Sequence, residues 1–175
     1  MDKKRIIVII GLMGAGKTTI GHKLAQSLKY YFIDSDQEIE DRQHCSIADI
    51  FAQKGEKYFR EIEAKIIQDI LNRDEDIVLS VGGGAFMNSN TRKIIKEKAL
   101  VIWLHASIEE TLKRIGSKSN RPLLNKKNKR SILEELSKIR YPIYQEADLD
   151  FDTTNLSFEE LTNLIINKII SYKNA

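Results

Sequence analysis

Continuously apolar runs alternate along the chain with stretches whose apolar residues recur every three or four positions. Residues 6–10, 77–81 and 100–104 are rich in Ile and Val, which is typical of strands covered on both faces of a parallel sheet. Weaker runs at 31–34 and 149–152 indicate two more strands. The pattern therefore predicts five short strands.

Amphipathic helices are predicted between these strands. Residues 17–28 and 58–71 carry apolar positions three and four apart. Residues 107–115 and 157–170 each begin with Ser followed three positions later by Glu, which is the capping-box pattern. A further helix is predicted at 131–139. The alternation predicts an α/β fold in which helices cover both faces of a parallel sheet.

Length and composition narrow the class of protein. The 175 residues suit one domain spanning 1–175, and the 42% hydrophobic content excludes a disordered chain. A net charge of +3 is low for a nucleic-acid binder, and no apolar stretch approaches a membrane span. The only cysteine, Cys45, can form no intrachain disulfide. We expect a cytoplasmic monomer with no nucleic-acid or membrane partner.

Residues 11–18 read GLMGAGKT and match the phosphate-loop pattern G-x-x-x-x-G-K-[ST]. A chance match in a glycine turn is the alternative, but the flanking strand and helix are the context that the motif requires. Backbone N–H groups and the helix N-terminus would bind phosphate, and Lys17 would reach the outer phosphates. The predicted nucleotide-binding residues here are Gly14, Ala15, Gly16, Lys17, Thr18 and Thr19.

Two acids, Asp34 and Asp36, end the second predicted strand. Ligands of open α/β sheets bind beyond the carboxyl ends of the strands, so this pair could serve Mg²⁺ and an acceptor hydroxyl. The alternative is that Ser35 or Asp36 caps a helix starting near Gln37. Beside a phosphate loop, the functional interpretation is favoured.

Two further features admit two interpretations each. Arg60 could form a surface ion pair with Glu63, or could bind a substrate carboxylate through its two-pronged guanidinium. Three glycines follow the third strand and could form a tight turn or permit close approach of a ligand. They are Gly82, Gly83 and Gly84.

A polar, basic segment at 116–131 lacks a helix or strand pattern and is predicted to be a lid over the nucleotide. A solvated surface loop is the alternative. Arg121 within it would neutralise charge that develops during phosphoryl transfer. Arg140 follows in the motif RYPIY.

Taken together, these motifs resemble the shikimate kinase family. They run in the family's order over almost the whole chain. The matching pieces are GLMGAGKT at 11–18, Asp34-Ser35-Asp36, SIADIF at 46–51, Phe59-Arg60 with Glu63, Gly82-Gly83-Gly84-Ala85, Arg121-Pro122-Leu123-Leu124, and Arg140 with Pro142 and Tyr144.

The resemblance implies ATP-dependent phosphorylation of the 3-hydroxyl of shikimate, on the route to chorismate and the aromatic amino acids. It implies a three-layer phosphate-loop kinase fold with a five-stranded parallel sheet in the order 2-3-1-4-5, helices on both faces and a lid at about 116–131. A helical substrate-binding region is implied at about 35–62. Mg²⁺ is the implied cofactor, with ATP as co-substrate.

The resemblance also implies roles for single residues. Thr18 and Asp34 match positions that hold Mg²⁺, and Lys17 and Arg121 match positions on the transferring phosphate. Arg114 matches a position near adenine. On the acceptor side, Asp36 matches a contact to shikimate hydroxyls that would also act in catalysis. The positions that match the remaining shikimate contacts are Arg60, Gly82, Gly83, Gly84 and Arg140.

Other functions stay open on the sequence alone. A kinase of another small hydroxylated acid, such as gluconate, would share the phosphate loop and lack the joint acceptor-side motifs. A non-catalytic nucleotide-binding protein would tolerate Asp36→Asn, whereas a kinase that uses Asp36 would not.

Overall fold

The structure is a computed structural model that describes residues 5–116 and 129–174. Five parallel strands form one sheet in the order β2-β3-β1-β4-β5, which confirms the predicted order. The strands are β1 (Ile6–Ile10), β2 (Tyr31–Asp34), β3 (Ile77–Ser80), β4 (Ala99–His105) and β5 (Leu149–Asp152).

Within the described ranges, seven α-helices and one short 3₁₀ turn connect the strands. The helices are α1 (Lys17–Leu28), α2 (Ser35–Gln43), α3 (Ile47–Leu71), α4 (Ser89–Lys98), α5 (Ile108–Gly116), α6 (Lys129–Tyr144) and α7 (Phe158–Asn174), and the 3₁₀ turn is Ala85–Met87. No helix in this part of the chain combines the length and apolar character needed to cross a bilayer.

Apolar side chains fill both sides of the sheet. Ile7 and Ile9 of β1 pack with residues of α1 and α7, whereas Val8 and Ile10 pack with residues of α3 and α4. Successive side chains of a strand point to opposite faces, so a strand covered on both sides must be apolar throughout. This explains the uninterrupted Ile/Val run of β1 and confirms the predicted layering.

The long helix α3 was predicted only in part. The apolar pattern predicted a helix at 58–71 alone, whereas the helix already begins after the Ser46 cap. Gly55 has φ 80° and ψ 172°, which breaks the helix between its two halves. Side chains of both halves then line one cleft, including Phe51 and Arg60.

Two other helices were wrongly predicted. Helix α4 was missed because its only apolar side chains are Ile94 and Ile95, although Asn88 caps it by accepting from two backbone N–H groups. Helix α6 is longer than 131–139 and continues through Pro142. A proline in the last turn removes one helical hydrogen bond but does not prevent the turn.

The predicted lid at 116–131 overlaps two helices at its ends, since Gly116 belongs to α5 and Lys129 begins α6. These end positions were therefore wrongly predicted to lack regular structure. Arg121 lies outside the described residues.

We predict that Ile7→Ala lowers the free energy of unfolding by about 2–5 kcal/mol, because it leaves a cavity at the centre of the sheet. Ile7 is fully buried on β1. The measurement is urea unfolding followed by circular dichroism. Leu164→Ala on α7, where the side chain is 50% exposed, is the control and should change stability by less than about 1 kcal/mol. If Ile7→Ala and Leu164→Ala lowered the free energy of unfolding by the same amount, the buried packing of Ile7 would be contradicted.

Candidate active site

A cleft of about 1190 Å³ opens at the carboxyl ends of β1, β2 and β3. The phosphate loop borders it on one side, and α2, α3, the turn after β3 and α6 border it on the others. It brings together nine predicted site residues, namely Lys17, Thr18, Asp34, Asp36, Arg60, Gly82, Gly83, Gly84 and Arg140. Residues as far apart in sequence as Lys17 and Arg140 thus line one space.

The phosphate loop wraps around the N-terminus of α1. Gly14 has φ 79° and Gly16 has φ 95°, backbone conformations that residues with side chains rarely adopt. The Nζ of Lys17 donates to the carbonyl oxygens of Gly11 at 2.9 Å and Leu12 at 3.2 Å. Ala15 is buried beneath the loop, and Thr19 is half-buried in the first turn of α1.

Asp34 lies between Thr18 and Asp36. Its Oδ2 accepts from the Thr18 hydroxyl at 3.0 Å, and its Oδ1 accepts from the backbone N–H of Asp36 at 3.0 Å. Asp34 is therefore the residue that caps α2, and the suggestion that Ser35 or Asp36 does so was wrong. The helix begins at Ser35 instead of near Gln37, which leaves the Asp36 carboxylate on the cleft side.

The Thr18 hydroxyl and the Asp34 carboxylate are oxygen ligands of the type that Mg²⁺ prefers. In the described part of the chain, no group of three or more His, Cys, Asp or Glu side chains is arranged to hold a metal. This suits Mg²⁺, which is usually held by one or two protein oxygens together with water and substrate phosphates. The residues present therefore fit the implied ion.

The glycine turn after β3 is a close contact surface for charged side chains. A Cβ atom placed on Gly82 would lie 2.8 Å from Asp36 Oδ1, and one on Gly83 would lie 2.7 Å from Arg140 Nη1. On Gly84 it would lie 2.5 Å from Arg60 Nη1. None of these glycines has a positive φ, so they are required for space and not for backbone conformation.

Neighbouring side chains hold this glycine turn in place. The N–H of Gly82 donates to the hydroxyl of the fully buried Ser35 at 3.2 Å. The Tyr144 hydroxyl donates to the carbonyl of Gly83, and burial raises the pKa of Tyr144 to about 12, so the hydroxyl keeps its proton. The turn is therefore fixed from α2 and from α6.

Arg60 and Glu63 form an ion pair, with Nη1 2.7 Å from Oε2. The sequence offered this pair as a surface contact, and that description was wrong for Glu63, which is only 3% exposed. Glu63 lies on the same buried stripe of α3 as Phe59, four positions before it, and Ile66, three positions after it. An acid on an otherwise apolar helical stripe was the signal that could have identified it.

Burial raises the pKa of Glu63 above its ordinary value, and the neighbouring Asp36 carboxylate adds to the rise. The guanidinium groups of Arg60 and Arg140 oppose it. Glu63 Oε1 is buried and has no hydrogen-bond partner among the described residues. The carboxylates of Asp36 and Glu63 and the guanidinium groups of Arg60 and Arg140 therefore lie close enough for their charges to interact.

Arg114 does not line the cleft. It lies on α5, and its guanidinium donates to the side chain and carbonyl oxygens of Thr153 at the end of β5. Seen from the cleft, it lies behind the phosphate loop, whose Gly14 carbonyl it contacts.

The fold and the cleft together define a kinase of the phosphate-loop class. A family model described as shikimate kinase matches residues 13–170. The chain belongs to the shikimate kinase family.

Individual relatives agree with this membership. The shikimate kinase of Rhizobium meliloti (strain 1021) is 40% identical over 172 residues, which cover 98% of this chain and 89% of that protein. The shikimate kinase of Paramagnetospirillum magneticum is 42% identical over 96% of this chain and 86% of that protein.

Solved structures agree as well. Shikimate kinase from Acinetobacter baumannii in complex with shikimate superposes with a TM-score of 0.90 at 37% identity, covering 96% of this chain and 94% of that one. A gluconokinase from Sinorhizobium meliloti 1021 superposes with a TM-score of 0.66 at 15% identity, covering 96% and 93%, and shares the fold alone.

We predict that Glu63→Gln stabilises the protein at about pH 7 but not at about pH 4. The pKa of Glu63 is raised above 4.5 in the folded state, so the folded protein binds this proton more tightly than the unfolded chain. Ionisation of Glu63 as the pH rises above that value therefore lowers the stability of the wild-type protein, and a neutral glutamine avoids the loss.

The measurement is the urea midpoint of both proteins at the two pH values. Glu61→Gln, an exposed change on the same helix, is the matched control and should show little dependence on pH. A stability difference between Glu63→Gln and wild type that is equal at both pH values would contradict the prediction.

Proposed function

We propose that this chain transfers the γ-phosphoryl group of ATP to the 3-hydroxyl of shikimate, on the route to chorismate and the aromatic amino acids. Membership of the shikimate kinase family supports this function. The relative solved with shikimate bound supports the choice of acceptor. The observation that carries the proposal is the arrangement of Asp36, Arg60 and Arg140 around one glycine turn, in the cleft that Lys17 also lines.

The acceptor has one carboxylate and several hydroxyl groups. Arg60 and Arg140 lie against adjacent glycines, so two guanidinium groups can bind one carboxylate with charge-assisted hydrogen bonds. Glu63 holds Arg60 through a 2.7 Å contact, which orients its guanidinium before substrate arrives. Asp36 lines the same cleft and supplies a carboxylate that would bind a hydroxyl, and Gly82, Gly83 and Gly84 leave room for the ring.

The donor occupies the phosphate loop. Backbone N–H groups from Gly14 to Thr19 and the positive end of α1 would bind the phosphates. Lys17, held over the loop by two carbonyl oxygens, would pair with the outer phosphates. Arg121 is proposed to act on the transferring group from the segment that follows α5.

Thr18 and Asp34 would hold Mg²⁺, which would neutralise charge on the phosphate oxygens when bound. The hydrogen bond between the two side chains keeps both oxygens at the mouth of the phosphate loop. Asp34 also caps α2, so its position is fixed by the fold and not by the ion alone.

In the proposed reaction, the acceptor hydroxyl oxygen attacks the γ-phosphorus in line with the bond to the β-phosphate. A phosphorus–oxygen bond to the acceptor forms, the bond to the β-phosphate oxygen breaks, and ADP leaves. Asp36 orients the hydroxyl and accepts its proton. Such transfers depend on positioning and electrostatic stabilisation more than on covalent chemistry of the protein.

The test is shikimate-dependent formation of ADP by the purified protein with Mg-ATP. We expect product with shikimate and at most traces with gluconate, which has a carboxylate and hydroxyls on an open chain. Asp36→Asn serves as the control and should lose about 10²-fold or more in kcat, because the general base is removed. Absence of shikimate-dependent ADP formation would overturn the proposal.

We predict that Gly84→Ala raises KM for shikimate by about tenfold or more, since the new methyl group must displace the Arg60 guanidinium. The KM for ATP should change little, because the displaced group lies on the acceptor side. Steady-state kinetics with each substrate varied in turn is the measurement.

Gly116→Ala is the matched control for Gly84→Ala, because a Cβ at Gly116 meets no atom of the described residues within 4 Å. It should leave both KM values unchanged. An equal rise in both KM values for Gly84→Ala would mean that the change distorts the whole cleft and would contradict the assignment of the glycine turn to the acceptor.

Residues 1–175 are proposed to act as one domain, with a substrate-binding helical region at about 35–62 and a lid at about 116–131. Both halves of α3 line the cleft, which supports the first of these regions. We also propose that the protein acts as a monomer in the cytoplasm. A single cysteine in the sequence suits a reducing compartment.

A further inference from the structure

Arg114 is tied to buried groups on the far side of the phosphate loop. Its Nη1 donates to the Thr153 hydroxyl and its Nη2 to the Thr153 carbonyl, each at 2.8 Å. Its Nε donates to Glu110 Oε1 at 3.0 Å, one turn back on α5. The Arg114 side chain is 18% exposed and Thr153 is fully buried. Moving the guanidinium away would remove both of these hydrogen bonds from a fully buried residue.

Thr153 is itself held firmly. Its N–H donates to the carbonyl of His105 at 2.7 Å, which joins it to the end of β4. The next residue accepts from the N–H of Ser107 through the Thr154 hydroxyl at 2.9 Å. Thr153 is therefore held at the carboxyl edge of the sheet, and Arg114 is hydrogen-bonded to that edge.

The same guanidinium reaches the phosphate loop. Arg114 Nη1 lies 3.4 Å from the carbonyl oxygen of Gly14 and donates to it. The N–H of the same peptide, on Ala15, donates to the carbonyl of Leu12 at 3.2 Å. This peptide group is thus held at both ends, which sets the direction of the N–H groups that follow at Gly16 and Lys17.

Packing around the phosphate loop also restricts the position of its backbone. A Cβ on Gly14 would lie 3.0 Å from the Thr111 side chain and 3.1 Å from that of Ile115, both on α5. The Phe158 ring lies 3.1 Å from the Cβ position of Gly16, and the Arg114 guanidinium lies 5.8 Å from the centroid of that ring. Helix α5 and the start of α7 therefore enclose both glycines of the loop.

We propose that Arg114 is a positioning residue that fixes the Gly14–Ala15 peptide, so that the phosphate loop is preorganised for the triphosphate of ATP. This part of its contribution to ATP binding is made through the phosphates, so it is kept by a ligand that has no base. The inference rests on the proposed function only in taking ATP as the phosphoryl donor. A contact to adenine alone would make the contribution of Arg114 depend on the base.

The experiment compares ligands with and without a base. Isothermal titration calorimetry in Mg²⁺ gives dissociation constants for ATP and for inorganic tripolyphosphate with wild type and with Arg114→Met. We expect the constant for tripolyphosphate to rise about tenfold and that for ATP to rise by at least as much, since the charge-assisted hydrogen bond from Arg114 to the Gly14 carbonyl is lost. A rise for ATP with no change for tripolyphosphate would overturn the proposal, as would no change for either.

Two further variants make the result specific. Thr153→Val keeps the shape of the Thr153 side chain but removes its hydroxyl. It should raise the dissociation constants of both ligands, by a smaller factor than Arg114→Met does. Lys113→Met is the matched control on the same helix, where the side chain is 78% exposed, and should stay within about twofold of wild type for both. If Arg114→Met fails to fold, Thr153→Val decides the question by the same comparison.

Hydrogen exchange gives a readout that a general loss of stability would not reproduce. Backbone amides of residues 14–18 should exchange faster in Arg114→Met than in wild type, while amides of β1 should not. Unchanged exchange at 14–18 would overturn the proposal. Shikimate phosphorylation is measured separately, so a wild-type protein inactive toward shikimate would remove the proposed function and leave this comparison of ligands valid.

Discussion

The close approach of charged side chains to the backbone at Gly82, Gly83 and Gly84 is the constraint on which the proposed acceptor site depends. Any side chain on this turn would occupy the space now filled by Asp36, Arg140 or Arg60. Hydrogen bonds with Ser35 of α2 and Tyr144 of α6 hold this glycine turn in place. One short segment therefore sets the relative positions of helices that are far apart in sequence.

Carboxylate and guanidinium charges partly offset one another beside this glycine turn. Glu63 is a buried carboxylate that costs free energy to ionise, and Arg60 and Arg140 offset part of that cost. The same two guanidinium groups face the cleft, where a substrate carboxylate would add a further negative charge. A buried acid that holds an arginine in place before binding reduces the ordering that substrate must supply.

Much of the fold could be predicted because strong local patterns agree with the tertiary packing. The Ile/Val run of β1 is apolar on both faces, and the phosphate-loop motif occupies the turn that follows. Helix α4 escaped prediction because Ile94 and Ile95 are too few to form a clear stripe, and its stability comes from the Asn88 cap and from packing. The burial of Glu63 and the hydrogen bonds of Arg114 to Thr153 could not be predicted either, since both depend on packing inside the fold.

The sequence by itself determined the strand and helix alternation, the nucleotide loop and the set of polar residues that resemble shikimate kinases. These follow from local spacing, which a linear pattern records. Only the tertiary structure decided that Asp34 caps α2, that Glu63 is buried beside Arg60, and that Arg114 lies behind the phosphate loop. Each of these depends on contacts between elements and on exclusion of water, which arise when the sheet brings its carboxyl ends together.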